Sequence, residues 1–139
     1  MDSSIIIIFS IAIILLIIFI LLSRIKIVKR KKLQEQQDNA KKVLLKEMYK
    51  VDKKIKNPKE SLLELNKVAK EFFREYLKEN KEDTYVELEQ LLKRKNQKDM
   101  IGFCEKMDFL LYSGKPVTKS QALEMIEELR KIIKSKQLK

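Results

Sequence analysis

From Ile5 to Leu22 every side chain is apolar except Ser10. This 18-residue run holds ten Ile, four Leu and two Phe. As an α-helix it spans roughly 27 Å, close to the ~30 Å hydrocarbon core of a bilayer. Ile25, Ile27 and Val28 can prolong it, with Arg24 and Lys26 reaching back to the interface on their apolar stems. Residues 1–28 are therefore expected to form a transmembrane anchor. Summed over its sixteen Ile, Leu and Phe residues, insertion is favourable by about 5–10 kcal/mol as an upper bound. The Ser10 hydroxyl is expected to bond a backbone carbonyl one turn earlier. A domain this small could hardly enclose a helix that is apolar all round. A cleaved signal peptide would have a basic start, a shorter apolar stretch and small residues at its end. Here Met1-Asp2-Ser3-Ser4 precede the run and Arg24-Ile25-Lys26 come after it.

Beyond the run the pattern changes to one-sided helices. Residues 29–56 read as a basic juxtamembrane and linker helix; whether it continues the membrane span is left open by the pattern. Leu33 stands alone among polar residues, after which Leu44, Met48, Val51 and Ile55 recur at spacings of four, three and four, joined by Ala40 and Val43. That stripe is too short for a coiled coil and is expected to pack against the domain C-terminal to it. Asn57-Pro58 ends it, because the residue before proline avoids the helical region.

Residues 57–136 read as four capped helices, with a tail at 137–139. Asn57 can cap the first, with Pro58 at its first position and Glu60 where a capping box places its acid. Leu62, Leu65, Val68, Ala69, Phe72, Phe73, Tyr76 and Leu77 form its apolar face, and Asn80-Lys81-Glu82-Asp83 breaks it. Thr84-Tyr85-Val86-Glu87 is a capping box opening a short helix with Leu88, Leu91 and Leu92 inside. Asn96-Gln97-Lys98-Asp99 starts the next, which carries Met100, Phe103, Cys104, Met107, Leu110 and Leu111. It ends at Ser113-Gly114, with Gly114 left-handed and Pro116 beyond. Thr118-Lys119-Ser120-Gln121 is a further capping box, with Val117 as a staple to Ala122. The last helix buries Ala122, Met125, Ile126, Leu129, Ile132 and Ile133 and frays through the basic tail. The fold class is all-α: a single N-terminal transmembrane helix followed by a small cytosolic bundle of about four helices.

Composition narrows the chemistry. With no His and one Cys, the common zinc sites, Ser-His-Asp or Cys-His nucleophiles and disulfide frameworks are excluded. The two glycines stand alone, which excludes a phosphate-binding loop. Cys104 sits in an apolar stripe as a small hydrophobe, and neighbouring Glu105 and Asp108 would not activate it. Glu127-Glu128 and Glu82-Asp83 read as solvated faces or breaks. Tyr76, Tyr85 and Tyr112 fit core edges better than a base-stacking platform; Tyr112, beside Gly114-Lys115-Pro116, is the most exposed-looking of the aromatics and is the candidate partner contact. No catalytic, metal-binding or cofactor-binding residue is assigned, and the chain is read as a non-enzyme without cofactors.

The formal charge is +11, yet six cations, Arg24, Lys26, Lys29, Arg30, Lys31 and Lys32, lie within nine residues beside the apolar run. Opposite them Asp2 is the one charged side chain ahead of the run. Basic flanks stay cytoplasmic, so the N-terminus is expected outside and the C-terminal domain in the cytoplasm of a cell membrane. The same cluster would attract anionic lipid head groups at about 1 kcal/mol per cation. Signs are mixed over the rest of the chain, and Lys outnumbers Arg 26 to 5, which disfavours nucleic acid as a partner.

The order of elements over residues 60–133 resembles the cytosolic helical tail of the BatD family, membrane proteins of aerotolerance-type operons. The resemblance rests on Phe73-Arg74-Glu75-Tyr76-Leu77, Thr84 with Glu87-Leu88 and Leu91-Leu92, Met107-Asp108-Phe109, and the break from Tyr112 to Pro116 leading into Thr118 and Ala122. It covers about half the chain. It implies a tail that follows a transmembrane helix and works with AAA-type ATPases and von Willebrand A-domain proteins. The family's large extracytoplasmic β-domains have no counterpart here, so an external sensing role is not carried over. The expected function is a single-pass, membrane-anchored protein-interaction module or adaptor for a cytosolic or membrane protein. The alternatives are a membrane tether for nucleic acid and a dimeric stalk or scaffold built on residues 29–56.

Overall fold

The computed structural model describes residues 3–53, 56–78, 84–136 and 138. Among them all regular structure is helical: α1 (Ser3–Lys53), α2 (Pro58–Leu77), α3 (Tyr85–Arg94), α4 (Lys98–Tyr112) and α5 (Lys119–Ser135). The chain divides into two compact units, Met1–Asp38 and Asn39–Lys139.

The first unit is the leading part of α1. The helix passes from the apolar run into the basic segment without a break, so residues 29–53 continue the apolar helix and do not start a new one. Ser10 Oγ donates to the Ile6 carbonyl at 2.9 Å, the expected back-bond, and Ser23 Oγ does the same to Phe19 at 2.9 Å. Both hydroxyls are thereby satisfied within the helix. Its apolar side chains have no cover: Phe9 is 66% exposed and Phe19 71%.

In the second unit, one core joins all the helices. Leu44, Met48 and Val51 of α1 are buried with the apolar faces of α2 to α5. Spacings of four and three put these three side chains on one face. Val43 belongs outside that stripe: it is 57% exposed, and Leu45 packs against the core instead. Ile55 lies outside the described residues. On α2, the predicted face from Leu62 to Leu77 is buried except for Tyr76, which is half-buried. Phe72 and Phe73 meet edge to face at 5.5 Å, and Phe73 lies 6.1 Å from Phe103 of α4. Such ring pairs add to simple area burial. α3 pairs with α4, and α5 packs across α2 and α4.

Local chemistry sets most boundaries. Asn57 accepts from the Glu60 N–H at 3.4 Å, with Pro58 beginning α2. Both full capping boxes form as predicted. Thr84 Oγ1 accepts from Glu87 N–H while Glu87 Oε2 accepts from Thr84 N–H. Thr118 and Gln121 repeat the exchange at 3.2 and 3.0 Å. Gly114 is left-handed at φ +72° after α4, as expected. The start of α4 differs from expectation. Asn96 does not cap it; at φ +54° it closes α3, with Asn96 N–H donating to Lys93 and Gln97 N–H to Leu92. Asparagine tolerates this conformation and can stand in for the usual C-terminal glycine. The break at Asn80 to Asp83 lies outside the described residues. Leu138, expected in a fraying tail, is instead buried in the core.

Thr118→Ala should lower the stability of the second unit by about 1 kcal/mol, because the Gln121 N–H loses the hydroxyl that accepts from it. Thr118→Ser should retain most of it. Urea unfolding of the detergent-solubilised protein measures both.

Candidate functional site

The basic cluster occupies successive turns of α1, and Arg24, Lys26, Lys29, Arg30, Lys31 and Lys32 are all exposed. At about 100° per residue they surround the helix, leaving no gap wider than about 100°. A helix lying in a membrane surface would confine its cations to one face. Here they form a collar instead. Among the described residues α1 is the one helix long and apolar enough to cross a membrane, and none of its apolar window is buried.

Tyr112 belongs to the other unit, at the C-terminal end of α4, and is 69% exposed. Phe109, one turn earlier, is 51% exposed, with the Lys115 ammonium 5.4 Å from its ring centre. Leu110 and Leu111 were expected inside but are only partly buried. They line a groove of about 370 Å³ with Leu62, Leu63 and Val117, between α2, α4 and the loop after Tyr112. The periodicity of α4 could not reveal this: Leu110 and Leu111 lie near the helix end, where coverage depends on the path of the next loop.

Tyr85 is a core residue, not an edge, with 1% exposure. Its Oη donates to Asn66 Oδ1 at 2.6 Å, so the one polar atom on the ring is satisfied. Burial raises the Tyr85 pKa, and the titrating groups of Cys104, Tyr112 and Asp108 raise it further. Cys104 is fully buried, and burial pushes its thiol up to about 12, with Glu89 and Glu105 adding to the shift. A thiol in this setting is a packing group, not a nucleophile.

Ionisation of this thiol ties stability to pH. Below about pH 8.5 both the folded and unfolded thiol are protonated, and the Cys104 contribution to stability is fully present. Between that pH and about 12 the unfolded thiol ionises first, so the unfolded state binds fewer protons and stability falls. The loss should reach about 2–3 kcal/mol by about pH 10.5. Urea midpoints at rising pH measure it, and Cys104→Ala should flatten the decline.

The acidic pair Glu127-Glu128 resolves into ion pairs. Glu127 bonds Arg130, which also holds Asp52 from the end of α1. Glu128 and Glu124 flank Lys106 at 3.0 and 3.1 Å, and their hydrogen bonds raise the Lys106 pKa. Lys136 reaches Asp99 at 3.1 Å and Gln97 at 2.8 Å. Glu82 and Asp83 lie outside the described residues. Sequence reasoning missed the links between helices because their partners stand tens of residues apart and no spacing rule connects them. Among the described residues, no three His, Cys, Asp or Glu side chains converge to hold a metal ion.

Compared with known protein families, curated proteins and solved structures, the chain matches none.

Proposed function

We propose that the chain is a single-pass membrane protein, N-terminus outside, whose cytoplasmic four-helix bundle is a protein-interaction module. In this reading it is an adaptor, not an enzyme, and it recruits or positions a cytosolic or membrane protein. The observation that carries the reading is the unburied apolar helix ending in a collar of six cations. In lipid a helix satisfies its own backbone groups, and Ser10 and Ser23 bond back to the turn before. A collar on all sides suits a helix that crosses the head-group layer, where anionic lipids would surround it. For the adaptor role, support comes from the exposed Phe109 and Tyr112 and the apolar groove nearby. Under the BatD-tail resemblance, the partner would be an AAA-type ATPase or an A-domain protein.

Alkaline carbonate extraction followed by proteolysis of intact cells tests the topology. The protein should stay in the membrane pellet, with residues 39–139 protected until the cells are opened. Recovery in the soluble pool, or digestion of that region from outside, would overturn the proposal. Crosslinking of the full chain in native membranes tests the adaptor role. It should join the second unit to a defined protein partner, and adducts with lipid alone would refute that role.

A further inference from the structure

The groove beside Leu110 has a charge pattern unlike that of two other depressions in the second unit. Its floor is apolar, with Leu62, Leu110, Leu111 and Val117, and Leu63 stands at its edge 48% exposed. The left-handed turn at Gly114 carries the chain round so that Pro116 joins the lining beside Val117. Its charged lining residues are Lys59 and Lys115, with no acid among them. Neither ammonium pairs with a carboxylate among the described residues. The depression between α1 and α2 differs: Glu47, Glu64 and Glu71 line it, and Lys50 and Lys67 are already paired there. On the far side of Leu110, Lys106 is likewise held by Glu124 and Glu128. An apolar floor between two unneutralised cations is complementary to an apolar ligand that brings its own carboxylates.

We propose that this groove docks a short, acidic, amphipathic segment of a partner protein. Its aliphatic side chains would rest on Leu110 and Val117 and its carboxylates over Lys59 and Lys115. This rests on the interaction-module reading and names the surface that module uses. The groove's volume of about 370 Å³ accommodates one or two aliphatic anchors, as helix-in-groove recognition requires.

A phage-displayed random dodecapeptide library, panned against the full chain in phosphatidylcholine nanodiscs, tests the proposal. Selected peptides should combine Leu, Ile or Phe anchors with Asp or Glu. Their affinity should fall about tenfold on Lys59→Glu with Lys115→Glu, and by more on Leu63→Asp. Val86→Asp, at an exposed site on α3, should leave it unchanged. Continued protection of Cys104 from maleimide confirms that each variant is folded. No enrichment, binders without acidic bias, or binders indifferent to the groove variants would each overturn the proposal. So would a change in sedimentation on charge reversal, which would assign the groove to a second copy of the chain. A partner crosslinked in native membranes whose binding survives the groove variants would overturn the groove assignment while the adaptor reading stands. Absence of any protein partner would remove that reading itself.

Discussion

On the single-pass reading proposed above, arginine at both Ile13 and Ile17 should release the protein from the membrane. The two positions lie one turn apart at the centre of the apolar run, too far from either end for the guanidinium groups to reach water easily. Each substitution exchanges a residue favourable by a few tenths of a kcal/mol for one that costs about 3 kcal/mol at mid-bilayer. Together they oppose insertion by about 6–8 kcal/mol, against a total favourable term of about 5–10 kcal/mol for the whole run. The fraction resisting alkaline carbonate extraction should therefore collapse, while Ile13→Leu with Ile17→Leu should behave as the unaltered chain. A double-arginine protein as firmly retained as the parent would place the attachment elsewhere, in the basic collar or in a partner.

Phe72→Ala should destabilise the second unit by about 3–5 kcal/mol. Phe72 is fully buried, in contact with Phe73 and stacked 5.9 Å from Tyr76, so truncation leaves a cavity that rigid helices cannot close. A domain of this size has a total stability of about 5–15 kcal/mol, so the loss is a large share of it. Cys104 supplies the readout, because the single thiol is fully buried and reacts only when the core opens. Maleimide labelling of the full chain in detergent should accelerate about 100-fold or more. Phe109→Ala, which truncates a ring already half in solvent, should change the rate little. Equal labelling of the Phe72 variant and the parent would mean that Cys104 is reached by a local opening that leaves α2 in place.

These two residues mark the two kinds of surface in the chain. Ile13 is apolar and uncovered, and Phe72 is apolar and enclosed, yet in composition they are alike. What separates them along the chain is period. The run around Ile13 has no polar face for water, whereas Phe72 recurs with Leu65, Val68 and Ala69 on one side of a helix whose other side carries Lys70, Glu71 and Arg74. Leu44, Met48 and Val51 were legible in the same way, and they share the core with α2 to α5. So were the caps at Asn57, Thr84 and Thr118, because a side chain bonding an amide three residues on is a purely local event.

Much of the candidate site was not local. Tyr112 was picked out by its place beside Gly114 and is exposed, but the groove near it was not foreseen. Leu110 and Leu111 continue the periodicity of α4, and periodicity says which way a side chain points, not whether anything stands opposite. Tyr85 illustrates the converse. By sequence it fits a core edge, whereas its hydroxyl finds Asn66 on another helix and the whole ring goes inside.

The chain by itself determined that the protein is helical, where α2, α3 and α5 begin, and that one stretch is apolar on every side; side-chain period and bonds spanning three or four residues suffice for that. Only the tertiary structure decided that Asp52 meets Arg130, that Leu138 returns to the core, and that Lys59 and Lys115 border one uncovered groove. Such contacts depend on how several helices cross, and no residue's immediate neighbours encode that geometry.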